Sequence, residues 1–319
     1  MYMAQKILVG GQAVIEGVMM RVPGAYATAV RRPDGEIEIK RENFTSIADR
    51  IPFFKKPLLR GIISMFESLK IGLATIQLSA DIAMQAENAA KPADKTKDRI
   101  ATTISMILAF GLAFLLFGFL PLWLTTELLN IERKALAFNL VVGAWRILFF
   151  LMYLWLISFM KDIQRLFQYH GAEHKVVFTF ESGQDLTVEN AQPFKTYHPR
   201  CGTSFIFIVM MVGILLFALI DAVVIWGFGS ISLVARLIYH LALLPLVAGI
   251  GYEFLKLSAK FQHKRFTQWL IAPGLWLQRI TTKPPTDDQI EVAIAALKGA
   301  FGEHYAEFAG REYIAEAVD

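Results

Sequence analysis

Four long stretches of this chain carry almost no charge, and no other feature limits its folding as much. Ala101 to Leu124 contains no charged residue, Leu136 to Met160 only Arg146, and Ser204 to Phe228 only Asp221. Ile231 to Leu255 is apolar apart from Arg236, His240 and Glu253. As a helix, each stretch is long enough to cross the ~30 Å hydrocarbon layer of a bilayer. A helix also satisfies its own backbone polar groups, as hydrocarbon requires. Composition agrees: 55% of the 319 residues are hydrophobic and 19% charged, against about a quarter charged in soluble domains. A large soluble helical core would not contain four such runs. The expected fold is an α-helical integral membrane protein with four transmembrane helices. A small cytoplasmic α+β portion would be formed by the N-terminal region and the 161–203 insert.

The distribution of Lys and Arg orients these spans. Residues 1–100, 161–203 and 257–319 share one side and hold 15, 5 and 7 basic residues. The opposite side has Arg133 and Lys134 in the connector between the first two spans. Both termini and the insert are therefore expected in the cytoplasm. The same bias explains a pI near 9.0 through anionic lipid. No basic face interleaved with aromatics or known motif supports nucleic-acid binding. No apolar run of signal-peptide length precedes Glu16 and Arg21, so no cleaved signal is read.

Six segments follow. Residues 1–60 form a strand-containing cytoplasmic region, in which Tyr26 to Arg32 and Glu36 to Lys40 flank a Pro33-Asp34-Gly35 turn and predict a hairpin. Residues 61–100 comprise a helix to about Met84 and a charged linker, Glu87 to Arg99. Ile62, Met65, Phe66, Leu69, Leu73 and Ile76 recur at helical spacing there, interrupted by Glu67 and Lys70. That pattern predicts an amphipathic helix on the membrane surface, with a fifth span as the alternative. Residues 101–160 hold spans one and two, 161–203 the insert, 204–256 spans three and four, and 257–319 a helical cytoplasmic tail. Its last helix starts after Pro284-Pro285, with Thr286 and Gln289 in capping-box positions.

Chemistry is concentrated in the insert, which holds three of the six histidines within 29 residues. His170 and His174 are four apart, so on a helix both imidazoles face one metal ion. Glu173 completes the H-x-x-E-H order of inverted zinc peptidases, in which the carboxylate activates water at the metal. Downstream, His198 and Cys201 are also good ligands for zinc or another borderline-soft divalent ion. Cys201 is the chain's single cysteine, so no intrachain disulfide can form. With Cys201 as fourth ligand the site would be closed; without it, one position stays open for water. Glu253, near the end of span four, is a further ligand or supporting group, or simply pairs with Lys256. Glu16, among apolar residues, needs a metal or cation unless it is a solvated edge carboxylate. Asp221 with Arg236, and Arg146 with His240, read as helix–helix contacts or as the lining of a polar path.

Several runs together resemble the YqhQ-like family of bacterial membrane proteins, a domain-of-unknown-function family (DUF 1385) described as predicted metal-dependent enzymes. They are Gly10 to Arg21, His170 to His174, Leu186 to Asn190, His198 to Phe205, Pro273 to Arg279 and Asp288 to Ala293. The resemblance implies a multi-span protein of the bacterial plasma membrane. It keeps a metal-dependent enzyme in view and adds weight to Glu16. The leading expectation is a hydrolase at the cytoplasmic membrane surface, acting on a lipid-like or membrane-peptide substrate. Zinc would be held by His170, His174, His198 and Cys201, with Glu173 as general base. The alternatives are a scaffold or assembly factor with a structural His/Cys metal site, and a small transporter that would have to homo-oligomerise.

Overall fold

The computed structural model describes residues 5–7, 9–84, 95–260 and 265–315. The charged linker falls outside them as far as residue 94. Strands β2 (Gly10–Val14), β3 (Gly17–Val22), β4 (Ala25–Arg31) and β5 (Ile37–Asn43) form an antiparallel meander in that order. The Pro-Asp-Gly segment joins β4 to β5, with Arg31 opposite Ile37 and Gly35 at φ 92°. Strand β1 (Gln5–Ile7) pairs in parallel with β6 (Tyr313–Ala315), so the two ends of the chain meet.

Alternation along the strands gives the meander two apolar faces. Val18, Met20, Ala27 and Ala29 face helix α4 (Lys161–Glu181) and helix α9 (Asp287–Phe301), which supply Tyr169, Ala172, Val176, Ile290, Ala293 and Leu297. Val14, Met19, Tyr26 and Val30 face Ile71 and Ile82 of helix α1 (Leu59–Ala83). The α+β portion therefore draws on the N-terminal region, the insert and the C-terminal tail, one element more than expected. The tail's helix is started by Gln289, whose side chain accepts from the Thr286 N–H at 3.0 Å.

Four helices are long and apolar enough to cross a membrane: Leu59–Ala83, Ile100–Leu129, Ala135–Ile157 (α3) and Phe205–Phe228. The second belongs to a run, α2, whose α-helical parts Lys95–Ala113 and Leu120–Leu129 are joined by a π-helical stretch, Phe114–Phe119. The last lies within α5 (Gly202–Phe228). Three of these match expected spans, α1 is the fourth, and the bent pair that follows would bring the number to five if it is one broken span. The expected fourth span is two helices, α6 (Leu233–Ala242) and α7 (Leu244–Lys260), bent by 50°. Pro245 accounts for the break, because it has no N–H and its ring clashes with the carbonyl one turn back. Helix α1 is amphipathic, with small and polar residues joining Ile71 and Ile82 on its buried side. Gly61, Glu67, Gly72, Thr75 and Ser79 are buried, while Phe66, Leu69, Leu73 and Ile76 are exposed.

Charges inside the apolar bundle are paired. Asp221 accepts from Asn139 at 2.7 Å and His240 at 3.1 Å, and from the Tyr239 hydroxyl, while Arg236 lies 3.0 Å away. Arg236 also donates to the Glu132 carbonyl and covers the Phe138 ring. Arg146 donates to Phe117 O, a carbonyl in the π-helical stretch, where regular i→i−4 pairing is interrupted. Losing one partner of a buried pair strands the other charge at a cost of about 3–5 kcal/mol, whereas replacing both is far milder. Asp221→Leu is therefore expected to lower the thermal midpoint in detergent sharply, read by circular dichroism. Asp221→Leu with Arg236→Met should recover most of the loss.

Candidate metal centre

Helix α4 carries His170, Glu173 and His174 at i, i+3 and i+4 on one face, with Glu173 and His174 buried. Its approach to the chain after helix α8 (Arg265–Thr281) depends on Gly171. A Cβ there would stand 2.2 Å from the Lys283 carbonyl, so the flanking histidine reaches the end of α8 only because residue 171 has no side chain.

Both rings are held by backbone carbonyls. His170 Nδ1 lies 2.8 Å from Thr281 O, and His174 Nδ1 lies 2.5 Å from Thr196 O. A carbonyl only accepts, so Nδ1 is the donor in each ring, and a neutral ring would then turn the lone pair of Nε2 inward. This is how metal-bound imidazoles are usually oriented. His170 Nε2 is 3.1 Å from Cys201 Sγ, and the donor atoms of His170, His174 and Cys201 all fall within 4.8 Å of one another. Cys201 is the N-cap of α5, so one ligand stands at the end of an apolar helix.

Glu173 completes the arrangement. Its Oε2 is 3.4 Å from His174 Nε2, which with a neutral ring sets two acceptors opposite each other. Two acceptors face each other favourably only with a cation or proton between them. Beyond Glu173 lie Glu181 and Arg200, which form an ion pair. Two imidazoles and one cysteine sulfur supply the converging donors. The donor set therefore fits a borderline-soft ion such as zinc.

Of the four expected ligands, three converge and one stands beside them. The His198 ring is 5.5 Å from that of His174, and its Nε2 is 3.6 Å from Glu181 Oε2. Its backbone is gripped on both sides by buried Gln278, which accepts from His198 N–H at 2.7 Å and donates to His198 O at 2.8 Å. The other two suggested carboxylates are engaged elsewhere. Glu16 forms a two-pronged ion pair with Arg165 and lies 3.4 Å from the Tyr169 hydroxyl. Glu253 pairs with Arg60 through Nε at 2.7 Å and Nη2 at 2.5 Å. Neither is among the converging donors, because a long-range arginine satisfies each. Thr196, Thr281, Glu181 and Arg200 had no distinguishing sequence signal. Gln278 lay in a recognisable run without chemistry of its own.

A helical protein with a small antiparallel sheet and a His/His/Cys cluster at the end of an apolar helix is the class these features define. The chain belongs to the family described as "Protein of unknown function (DUF1385)", which matches residues 56–303. It is similar to the "Uncharacterized protein YqhQ" of Bacillus subtilis (strain 168), 33% identical over 297 residues, covering 89% of each chain. No solved structure matches. All the converging donors and Glu173 lie inside the family match.

Burial pushes the His198 imidazole down to about 4, against the attraction of Glu173. In the unfolded chain the same ring titrates near ~6.5. Between those values the unfolded state binds more protons, so stability present above ~6.5 is lost as pH falls toward 4. The loss should reach about 3 kcal/mol at most. Denaturant unfolding from pH 7 to 4.5 should show it, with a shallower dependence in His198→Gln.

Proposed function

We propose that this chain is a metal-dependent hydrolase of the bacterial plasma membrane, working at the cytoplasmic surface with both termini on that side. The observation that carries the reading is the convergence of His170, His174 and Cys201 with the Glu173 carboxylate beside them. Three protein donors leave a coordination position free, the pattern of catalytic rather than structural zinc sites. A divalent ion held there would supply Lewis acidity toward a water or a carbonyl oxygen. Glu173 would act as general base, taking a proton from the attacking water and returning it to the leaving group. Thr281 and Thr196 would keep the imidazoles in the tautomer that presents Nε2. The apolar helices and the excess of cytoplasmic Lys and Arg support the membrane assignment. The outward apolar side of α1 supports its lying on the membrane surface, since its other side packs on the sheet.

One observation favours a second reading. His174, Glu173 and Cys201 are each less than a tenth exposed, as in a closed site that staples the insert of a scaffold protein. Transport has less support, because Asp221 already has four partners.

Elemental analysis of protein purified without a metal-affinity tag should find about one divalent ion per chain, and none in His170→Ala/His174→Ala. Glu173→Gln should keep the metal but lose hydrolysis of fluorogenic ester and peptide panels by at least ~100-fold. Full turnover in that variant would remove the general base. No metal in the wild type would remove the reading.

A further inference from the structure

Strand β2 is an edge strand, and it passes directly beside Glu173. A Cβ on Gly11 would stand 2.9 Å from Glu173 Cγ. The direction of the backbone groups along this strand follows from the ladder. Val14 and Gly17 flank a two-residue turn, and Arg31 N–H donates to Glu16 O at 2.8 Å. Pairs alternate along antiparallel strands, so Val18 bonds to β4, and its opposite number Ala13 does not bond to β3. The same alternation frees Gly11, opposite Met20. The N–H and C=O groups of Gly11 and Ala13 therefore point away from the sheet. The next outward group, Ile15 N–H, is taken by Ser79 Oγ of α1 at 3.2 Å. Among the described residues no partner takes those of Gly11 and Ala13.

The surroundings keep this edge open. Glu16 at the hairpin tip is clamped by Arg165 of α4, while Ser79 holds the tip from the α1 side. Glu16 itself adopts φ 51°, a backbone conformation that non-glycine residues keep only where neighbours enforce it. Gly11 is exposed, and glycine within a strand marks places where another backbone comes close. An exposed edge of unpaired amides is a template for one more strand.

We propose that β2 is the substrate-docking edge, and that the substrate is an extended polypeptide segment that adds to it as a fifth strand. Main-chain hydrogen bonds to Gly11 and Ala13 would give sequence-tolerant affinity and draw the bound peptide past Glu173. This inference rests on the hydrolase reading and selects polypeptide over lipid as the substrate class. Glu16, Arg165 and Ser79 then become positioning residues, because they hold the edge without touching the peptide.

The test uses full-length protein in lipid nanodiscs and fluorescein-labelled β-casein, an unstructured polypeptide. Casein should bind the Glu173→Gln protein saturably, and residue-resolved amide exchange should slow at Gly11 and Ala13 but not at Gln12 or Val14. Ala13→Pro, added to Glu173→Gln, removes one outward N–H and no ladder bond, as proline on an edge strand can. It should weaken casein binding about tenfold with the metal content unchanged. The exchange measurement needs no change at the edge, so it stands even if the proline variant folds poorly. No saturable binding, or binding that leaves exchange at Gly11 and Ala13 unaltered, would overturn the proposal. Slow exchange at those two amides before casein is added, with dimers in solution, would also overturn it by showing the edge already paired with a second copy. Casein bound at the edge yet left uncut by the wild type would uphold the docking edge and count against hydrolysis.

Discussion

Two backbone carbonyls, Thr281 O and Thr196 O, hold the imidazoles of His170 and His174 with their Nε2 atoms turned toward one sulfur. Much of the surrounding structure can be traced to that requirement. Thr281 ends α8, so the end of that helix must meet α4, and Gly171 lets it approach. Thr196 lies in the segment leading to α5, whose course is held by Gln278 through His198. Each carbonyl comes from a different part of the chain, and each fixes a tautomer as well as a position. The centre is therefore a junction of α4, α8 and the start of α5, as well as a set of ligands.

Buried charge is handled differently in the two halves of the molecule. In the apolar bundle, Asp221 is saturated by Asn139, Arg236, Tyr239 and His240, an arrangement suited to holding helices together. At the candidate metal centre Glu173 Oε2 faces His174 Nε2. In the first network the carboxylate has its partners within the chain. The second would be favoured by a cation between those two atoms, which is why the functional reading falls there and not on the charges of the apolar bundle.

The helical fold and the His/His/Cys cluster were largely legible because both depend on short-range spacing. Uncharged stretches of membrane length marked α2, α3 and α5, the Pro-Asp-Gly turn marked the β4–β5 hairpin, and residues four apart on a helix placed His170 beside His174. The break between α6 and α7 was less visible. Pro245 was in plain view, but the hydrophobic pattern runs through it. Helix α1 was legible as an amphipath because its apolar residues recur at helical spacing. That its small and polar side would be the buried one depends on Gln12, Ile15 and Tyr252 meeting it. Glu16 and Glu253 were offered as metal-site groups because a carboxylate in apolar company needs a cation. The need was real, and Arg165 and Arg60 met it from 149 and 193 residues away.

The sequence by itself determined which stretches are apolar helices, that a hairpin precedes them, and that His170, Glu173, His174, His198 and Cys201 are the chemical resources. Those properties are local, set by backbone hydrogen bonding, side-chain periodicity and donor type. Only the tertiary structure decided that His198 stands outside the triad and that Glu173 confronts His174 Nε2. It also decided that the unpaired amides of Gly11 and Ala13 run alongside. Each depends on the directions of lone pairs and N–H bonds from segments far apart in the chain. Those directions are defined only once α4 has packed between the sheet and the end of α8.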